Sequence, residues 1–426
     1  MNTNYISLLE DNLQSLNEIL PLGKIRRKAI KDLTSRSIPS LKMEQWKNYH
    51  FADTLNNYYR LNIEKENPSF NLKFIKEFPL QNAFESIVFE NDRCSYEGQV
   101  EKFQNGVILG SLLGVMNEFP DIIEKYLDKL NTNSHGFLAL NSGIVVDGFV
   151  LFVPENIDKN LVFNIYESFD SGENTISGKR NLVIIGEKSQ ATVNLFTRSE
   201  NTDHHFALST TEVYLSKGSG FEMNNIQDHN GNTQYLNFQF FDQKKGSSLK
   251  SNYITFNSYN TRNEIINSLN DIDCQTELNG AYLLKNEQKL ENNIFIDHAS
   301  PECLSNQLFK GILYDKAEGS FTGKILVRKD SQKTEAYQST KNILLSDDAR
   351  MNMNPFLEIY ADDVRCSHGA SLGNVDDDAL FYLQARGINK EEARKILLRS
   401  FLNDIILKVS DEELQNMINE HMFAKL

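Results

Sequence analysis

Cysteine is scarce in this chain of 426 residues: Cys94, Cys274, Cys303 and Cys366 are the only four. No two of them form a Cys-x-x-Cys pair. That count excludes a disulfide framework and leaves reduced thiols, the first three of which read as packing residues. No stretch approaches the ~20 consecutive apolar residues that a membrane-spanning helix needs. The opening residues, MNTNYISLLEDNLQSL, have neither the basic nor the apolar region of a secretory signal, so a soluble, cytoplasmic protein is expected. Positive charge is also in deficit. Lys and Arg number 44 against 58 Asp and Glu, a net charge of -14. An acidic surface repels phosphate backbones and anionic headgroups, which argues against nucleic acid and membrane as partners.

Two catalytic signatures are missing as well. Gly319–Lys324 (GSFTGK) has three residues between its glycines, and Ile325 follows the lysine. Gly172–Lys179 (GENTISGK) has five, and Arg180 follows. A phosphate loop needs four, then Lys and a hydroxyl residue, so that backbone N–H groups, ammonium and a metal-binding oxygen converge. Neither stretch qualifies, and the chain is not read as an ATPase. No G-x-S-x-G nucleophile elbow occurs.

What is present divides into three regions. At roughly 150 residues per domain the length suggests two or three units, or one elongated repeat fold. Residues 1–135 read as mainly helical. Leu8, Leu9, Leu13, Leu16 and Leu20 fall near helical spacing, with Pro21 ending the run, and Pro120 to Leu130 forms a further helix. Residues 136–372 form a strand-rich core, in which runs such as NLVIIGEKSQATVNLFT and TEVYLSKGSGFEMNNI alternate with small or polar turns. KSQATVN, KGSGFEMN and KGSSLKSN share a turn followed by a chain resuming toward Asn. Aligning Ala191, Gly220, Ser248, Ala281, Ser320 and Ala349 gives a period near 30 residues. A strand-rich repeat of that length predicts a solenoid, a β-helix whose stacked coils bury a continuous core. A β-sandwich with uneven hairpins is the alternative. Residues 373–426 turn helical. Asp376 caps a helix carrying Leu380, Phe381 and Leu383, and Gly387 stops it. Asn389 with Glu392 opens a second, bearing Ile396, Leu397, Phe401 and Ile405, and Ser410 with Glu413 a third.

Three constellations could carry chemistry. Asp203, His204, His205, Asp228 and His229 could gather as metal ligands across stacked coils, but they meet no standard ligand spacing and equally suit solvated turns. Asp362 and Asp363 are paired carboxylates, yet neighbours on a strand point to opposite faces, which favours a turn or a structural ion pair. Cys366-Ser367-His368 is the sharpest. On a strand, positions 366 and 368 share a face, and thiolate with imidazole suits iron or zinc. Two ligands leave a tetrahedral site half built. Either the pair is structural, or another chain supplies the rest.

The residues around that pair carry a resemblance. PFLEIYADDVRCSHGASLGNVDDDALFYLQARGI (Pro355 to Ile388) resembles the C-terminal signature of the SufB/SufD family. SNQLFKGILYDKAEGSFTGKILV, KTEAYQSTKNILLSDDA and PSLKMEQWKNYHF are similar to other segments of it. Ser367 and Gly369 stand where SufB-type members carry acidic residues, and Leu383 where they tend to have Cys, so the chain looks SufD-like within the family. The resemblance implies a mainly β fold, a right-handed parallel β-helix flanked by N-terminal and C-terminal helical regions. It implies a non-catalytic scaffold for iron–sulfur cluster assembly that pairs with SufB and anchors a SufC ATPase. By carry-over His368 is a ligand at the SufB–SufD interface, where a cluster forms transiently, and Cys366 is a ligand or a buried neighbour. Leu380, Phe381, Arg386, Gly387 and Phe401, in the C-terminal domain 373–426, would meet SufC. A reduced flavin accompanies the family's complex, though this chain shows no flavin motif. A homodimer of the isolated chain stays open, as does a purely structural interaction role without metal.

Overall fold

In a computed structural model the protein is described at residues 20–48, 78–80, 82–90, 100–130, 135–169, 174–199 and 204–425, together with 10, 60, 61, 75, 93 and 94. The strands are β1 (Arg60–Leu61), β2 (Glu85–Glu90), β3 (Arg93–Cys94), β4 (Val100–Lys102), β5 (Ile108–Ser111), β6 (Phe149–Val153), β7 (Leu161–Ser168), β8 (Thr175–Ile185), β9 (Gln190–Ser199), β10 (His205–Leu215), β11 (Gly220–Gln243), β12 (Ser248–Leu269), β13 (Gln275–Leu284), β14 (Lys289–His298), β15 (Leu304–Leu313), β16 (Glu318–Val327), β17 (Thr334–Leu344), β18 (Arg350–Ile359) and β19 (Val364–Gly373). The helices are α1 (Leu20–Ser35), α2 (Leu112–Glu118), α3 (Pro120–Tyr126), α4 (Gly136–Ile144), α5 (Asp377–Ala385), α6 (Lys390–Ile406) and α7 (Glu412–Phe423).

The strands stack into two parallel ladders, so the core is the β-solenoid that the repeat predicts. One ladder runs β2, β7, β9, β11, β12, β13, β15, β17, β19. The other runs β6, β8, β10, β11, β12, β14, β16, β18. The long strands β11 and β12 serve both, bending at register shifts after Gln227 and His229. On the first ladder Gln190, Gly220, Ser248, Gln275, Leu304, Glu335 and Arg365 are in register, 27 to 31 residues apart.

The sequence alignment of turns is corrected by this register. Ala191 pairs with Phe221 rather than Gly220 and Ala281 with Ile254; Ser320 lies on the second ladder and Ala349 in the turn leading into it. Each coil has two similar turns and coil length varies, so turn similarity alone slips between positions.

Strand alternation sends one set of side chains into the lumen, among them Phe163, Val193, Met223, Leu278, Phe309 and Phe321. The outer faces are covered by helices. Trp46, Phe137 and Leu140 pack on Phe206, Leu208, Leu236 and Phe238 of the second ladder. Leu398, Leu402 and Ile405 of α6 and Leu414 and Ile418 of α7 pack on Tyr166, Phe196, Ile226 and Ile254 of the first. Arg262 anchors the N-terminal cover: its guanidinium lies 3.9 Å from the Trp46 ring, donates to the Gln45 carbonyl at 3.0 Å, and pairs with Glu291 at 2.6 Å and Glu264 at 3.2 Å.

Local signals are read correctly in part. Asp376 and Asn389 cap α5 and α6 as expected. The third cap is Asp411, not Ser410: its carboxylate accepts from Glu413 and Leu414 N–H. Pro21 lies inside α1 instead of ending a helix, in the first turn where a missing N–H costs nothing. Leu8, Leu9, Leu13 and Leu16 fall outside the described residues. The N-terminal region holds strands as well as helices, and β2 already pairs with β7 of the solenoid. Among the described residues no helix is long and apolar enough to cross a membrane.

Candidate functional site: the open end of the solenoid

Among the described residues nothing covers the lumen at its C-terminal end. Among the described residues β18 is in register only with β16, and β19 only with β17. Their far edges present unpaired N–H and C=O groups, a template for another chain. Buried Phe321, Ile325 and Val327 place Met353, Leu357 and Ile359 over the lumen. Buried Ala336, Gln338, Thr340 and Asn342 do the same for Cys366, His368, Ala370 and Leu372. These last inward-facing positions would be interior in any earlier coil. Here Leu372 is 51% exposed and Ile359 39%, with Phe356 at 53% and Tyr360 at 64% beside them.

Cys366 and His368 therefore share the inner face, and Ser367 the outer one. Cys366 is half-buried against the core. Burial pushes its thiol up, against an opposing hydrogen bond with the Ala336 backbone, so it stays protonated until a metal or base takes the proton. His368 is exposed. Asp362 and Asp363 lie in the exposed turn before β19, where the Asp363 backbone carbonyl accepts from Lys333 N–H and its backbone N–H donates to Gln332 Oε1, as in a turn.

His205 and His229 of the proposed histidine cluster are interior. His205 sits between Thr175 Oγ1 (2.7 Å) and Ser177 Oγ (2.9 Å), and burial, with the neighbouring His229, lowers its pKa to about 3. His229 lies between Thr197 (3.2 Å) and Ser199 (3.3 Å), lowered to about 4 by burial. The reading of these residues as solvated turn groups is thus corrected, since both rings face the lumen; Asp203 lies outside the described residues. Among the described residues no group of three or more His, Cys, Asp or Glu could hold a metal. Cys94, Cys274 and Cys303 are buried, and the last two both donate to the Asp271 carbonyl from consecutive coils.

The C-terminal candidates divide. Phe381 is 73% exposed, and Arg386 donates to the exposed Tyr382 hydroxyl at 3.1 Å. Gly387, at φ +88, ends the turn after α5. Leu380 is buried, and half-buried Phe401 sits 4.9 Å beneath Lys310 Nζ, so both serve the chain's own packing. Sequence reading missed Tyr382 and Leu407, exposed at 58% and 60%. Only tertiary packing distinguishes an outward apolar residue from an inward one on so short a helix.

Comparison with known proteins decides the family. A sequence model of the SufBD core domain of the SUF iron–sulfur cluster assembly system matches residues 168–401, and one of the SufBD N-terminal region matches residues 1–162. The chain belongs to the SufB/SufD family. It is 27% identical to Protein ABCI7, chloroplastic, of Arabidopsis thaliana, over 97% of this chain and 88% of that protein. It is 32% identical to iron–sulfur cluster assembly protein SufD of Escherichia coli over 37% of each chain, and 25% identical to SufD of Bacillus subtilis over 74% of this chain and 72% of that one. Iron–sulfur cluster assembly is thus the process to which this SufB/SufD family fold belongs.

Proposed function

We propose that the chain is a SufD-type scaffold subunit that joins a SufB chain end to end through β18 and β19. The observation that carries this reading is the end of the lumen, uncovered among the described residues, with Cys366 and His368 on its last inward face. A second chain closing that end would hide Leu372 and Ile359 and pair the free strand edges. It would also bring its own ligands opposite Cys366 and His368, turning half a coordination shell into a whole one. The cluster is the cargo of this junction, built there and passed on. Cys366, half-buried beneath the partner, serves as ligand or as packing neighbour to His368.

In this reading residues 136–372 are the scaffold and residues 373–426 the dock for a SufC ATPase. Phe381, Tyr382 and Arg386 supply the exposed aromatic and cationic contacts. Leu380, Gly387 and Phe401 shape the helices that carry them. The chain itself contributes no catalytic step. ATP-driven SufC movement would reach the junction through the linker at Gly373–Asp376.

Co-expression with SufB-like and SufC-like chains, then anaerobic reconstitution and absorption spectroscopy, tests the proposal. The expected result is a complex whose cluster yield collapses in the C366A/H368A double variant while the complex still forms. Normal cluster assembly in that variant would leave a purely structural role.

A further inference from the structure

Gln338 faces the lumen one coil before His368, its register partner, and is 3% exposed. Its Nε2 donates at 3.3 Å to Oε1 of Gln307, the register partner one coil earlier. Its own Oε1 is buried and accepts no hydrogen bond. Gly323, across the lumen, makes room for the amide: a Cβ there would lie 1.5 Å from Nε2.

In a second column, beneath the outer face of the same ladder, the amides run one way. Asn279 donates to Asn252, Asn252 to Asn224, Asn224 to Asn194 and Asn194 to Asn164. Each amide gives its N–H to the coil before and offers its oxygen to the coil after. Gln338 has made the first of these bonds and lacks the second. The side chain in register on the following coil is the exposed imidazole of His368.

We propose that Gln338 is a positioning residue for His368, with Oε1 accepting one ring N–H. That bond fixes the neutral tautomer and aims the other ring nitrogen, lone pair free, out of the open end. A histidine ligand is oriented by the partner of its second nitrogen in this way. The benefit to a cluster rests on the proposed role of His368; the hydrogen bond does not.

The test is long-range 1H–15N NMR on the full-length chain labelled at histidine, with the His368 signal identified by its loss in H368A. The wild type is expected to show one neutral tautomer at His368, and Q338M, of similar length but without an acceptor, a mixture of both. Q338E keeps an acceptor and retains the single tautomer. A mixture in the wild type, or no change in Q338M, overturns the proposal. Should Q338M fail to fold, the wild-type and Q338E spectra decide it. Iron loading of the reconstituted complex is the separate arm, with Q338M expected several-fold below wild type and H368A as the floor. If the tautomer depends on Gln338 while H368A assembles clusters normally, the positioning stands and the ligand role falls. A wild-type mixture together with lost clusters in H368A gives the reverse.

Discussion

Asn224 donates its side-chain N–H to Asn194 at 2.9 Å, and its own oxygen accepts from Asn252 at 2.7 Å. The bonds run along the stack of coils, parallel to the backbone ladder. Asn164, Asn194, Asn224, Asn252 and Asn279 each occupy the same place in successive coils, all buried beneath the outer face of the first ladder. Register matters more here than in an ordinary sheet. A slip of one residue would put five amides against apolar neighbours and leave every donor unpaired.

Replacing Asn224 by Ala should therefore cost more than one hydrogen bond. Asn194 keeps its bond to Asn164 but loses a donor, and Asn252 loses an acceptor inside a buried column. With each orphaned group costing ~1–3 kcal/mol and Asn252 keeping a long bond to Glu222 at 3.5 Å, the total is about 2–4 kcal/mol. Urea unfolding followed by circular dichroism reads this as a lower midpoint with an unchanged slope. A shift below about 0.5 kcal/mol would mean the ladder contributes geometry and little stability.

That same column marks how much of the fold was legible. The sequence fragments KSQATVN, KGSGFEMN and KGSSLKSN end on Asn194, Asn224 and Asn252, which are true register partners. Of the small residues aligned before them Gly220 and Ser248 are partners too, but Ala191 is one position off, because a turn tolerates many small residues and a buried amide stack tolerates one. Alternation along β19 also made the shared face of Cys366 and His368 legible. Which coil is the last was not, since the residues beyond Gly373 must first be seen to leave the stack. Nor was Gln338: a polar residue at every second position looks solvent-facing until its strand is known to line a lumen filled with amides. The exposed Tyr382 and Leu407 escaped for the converse reason, being apolar residues on helices whose other faces pack.

The pH dependence of stability should reveal the buried His298. Burial holds its pKa at about 4, against the opposing charge of Asp297, while Nε2 is bonded to Ser305 Oγ at 2.8 Å. The unfolded chain protonates this ring near 6.5 and the folded chain near 4, so below 6.5 the unfolded state binds the extra proton. Its stability contribution is thus complete above pH 6.5 and is lost as the pH falls toward 4. Each unit is worth about 1.4 kcal/mol, roughly 3 kcal/mol across the window. Measured against H298Q, which has no titrating ring, the wild type should lose ground by that amount between pH 6.5 and 4. Parallel pH profiles for the two proteins would show that the ring is already protonated or solvated in the fold.

Arg262 should be among the costliest side chains to truncate. Its buried guanidinium neutralises Glu264 and Glu291, and it holds Trp46 and the Gln45 carbonyl against the second ladder. In R262A buried Glu291 loses its partner and Glu264 keeps only His135 at 3.5 Å, and breaking a buried pair typically costs about 3–5 kcal/mol. The N-terminal cover loses its anchor at the same moment. Limited proteolysis should then cut near residues 40–48 in R262A before the solenoid is attacked, and thermal unfolding should begin earlier. Simultaneous loss of both regions would mean the cover and the coils form one cooperative unit.

At the open end the expected effect is the opposite, a large change in association with little change in stability. Leu372 and Ile359 face the lumen direction but are 51% and 39% exposed, so neither contributes a fully buried side chain to the isolated chain. Lysine at both positions adds two charges where a partner coil would have to bury them, and charged edge residues are an effective block to strand pairing. The L372K/I359K variant should unfold within a few tenths of a kcal/mol of the wild type. Size-exclusion chromatography with a SufB-like chain should show the pair eluting apart, whereas L380A, altering a buried residue of α5, should leave that association intact. If the lysine variant still co-elutes with its partner, the two chains meet elsewhere, and His368 would then face solvent in the complex as it does alone.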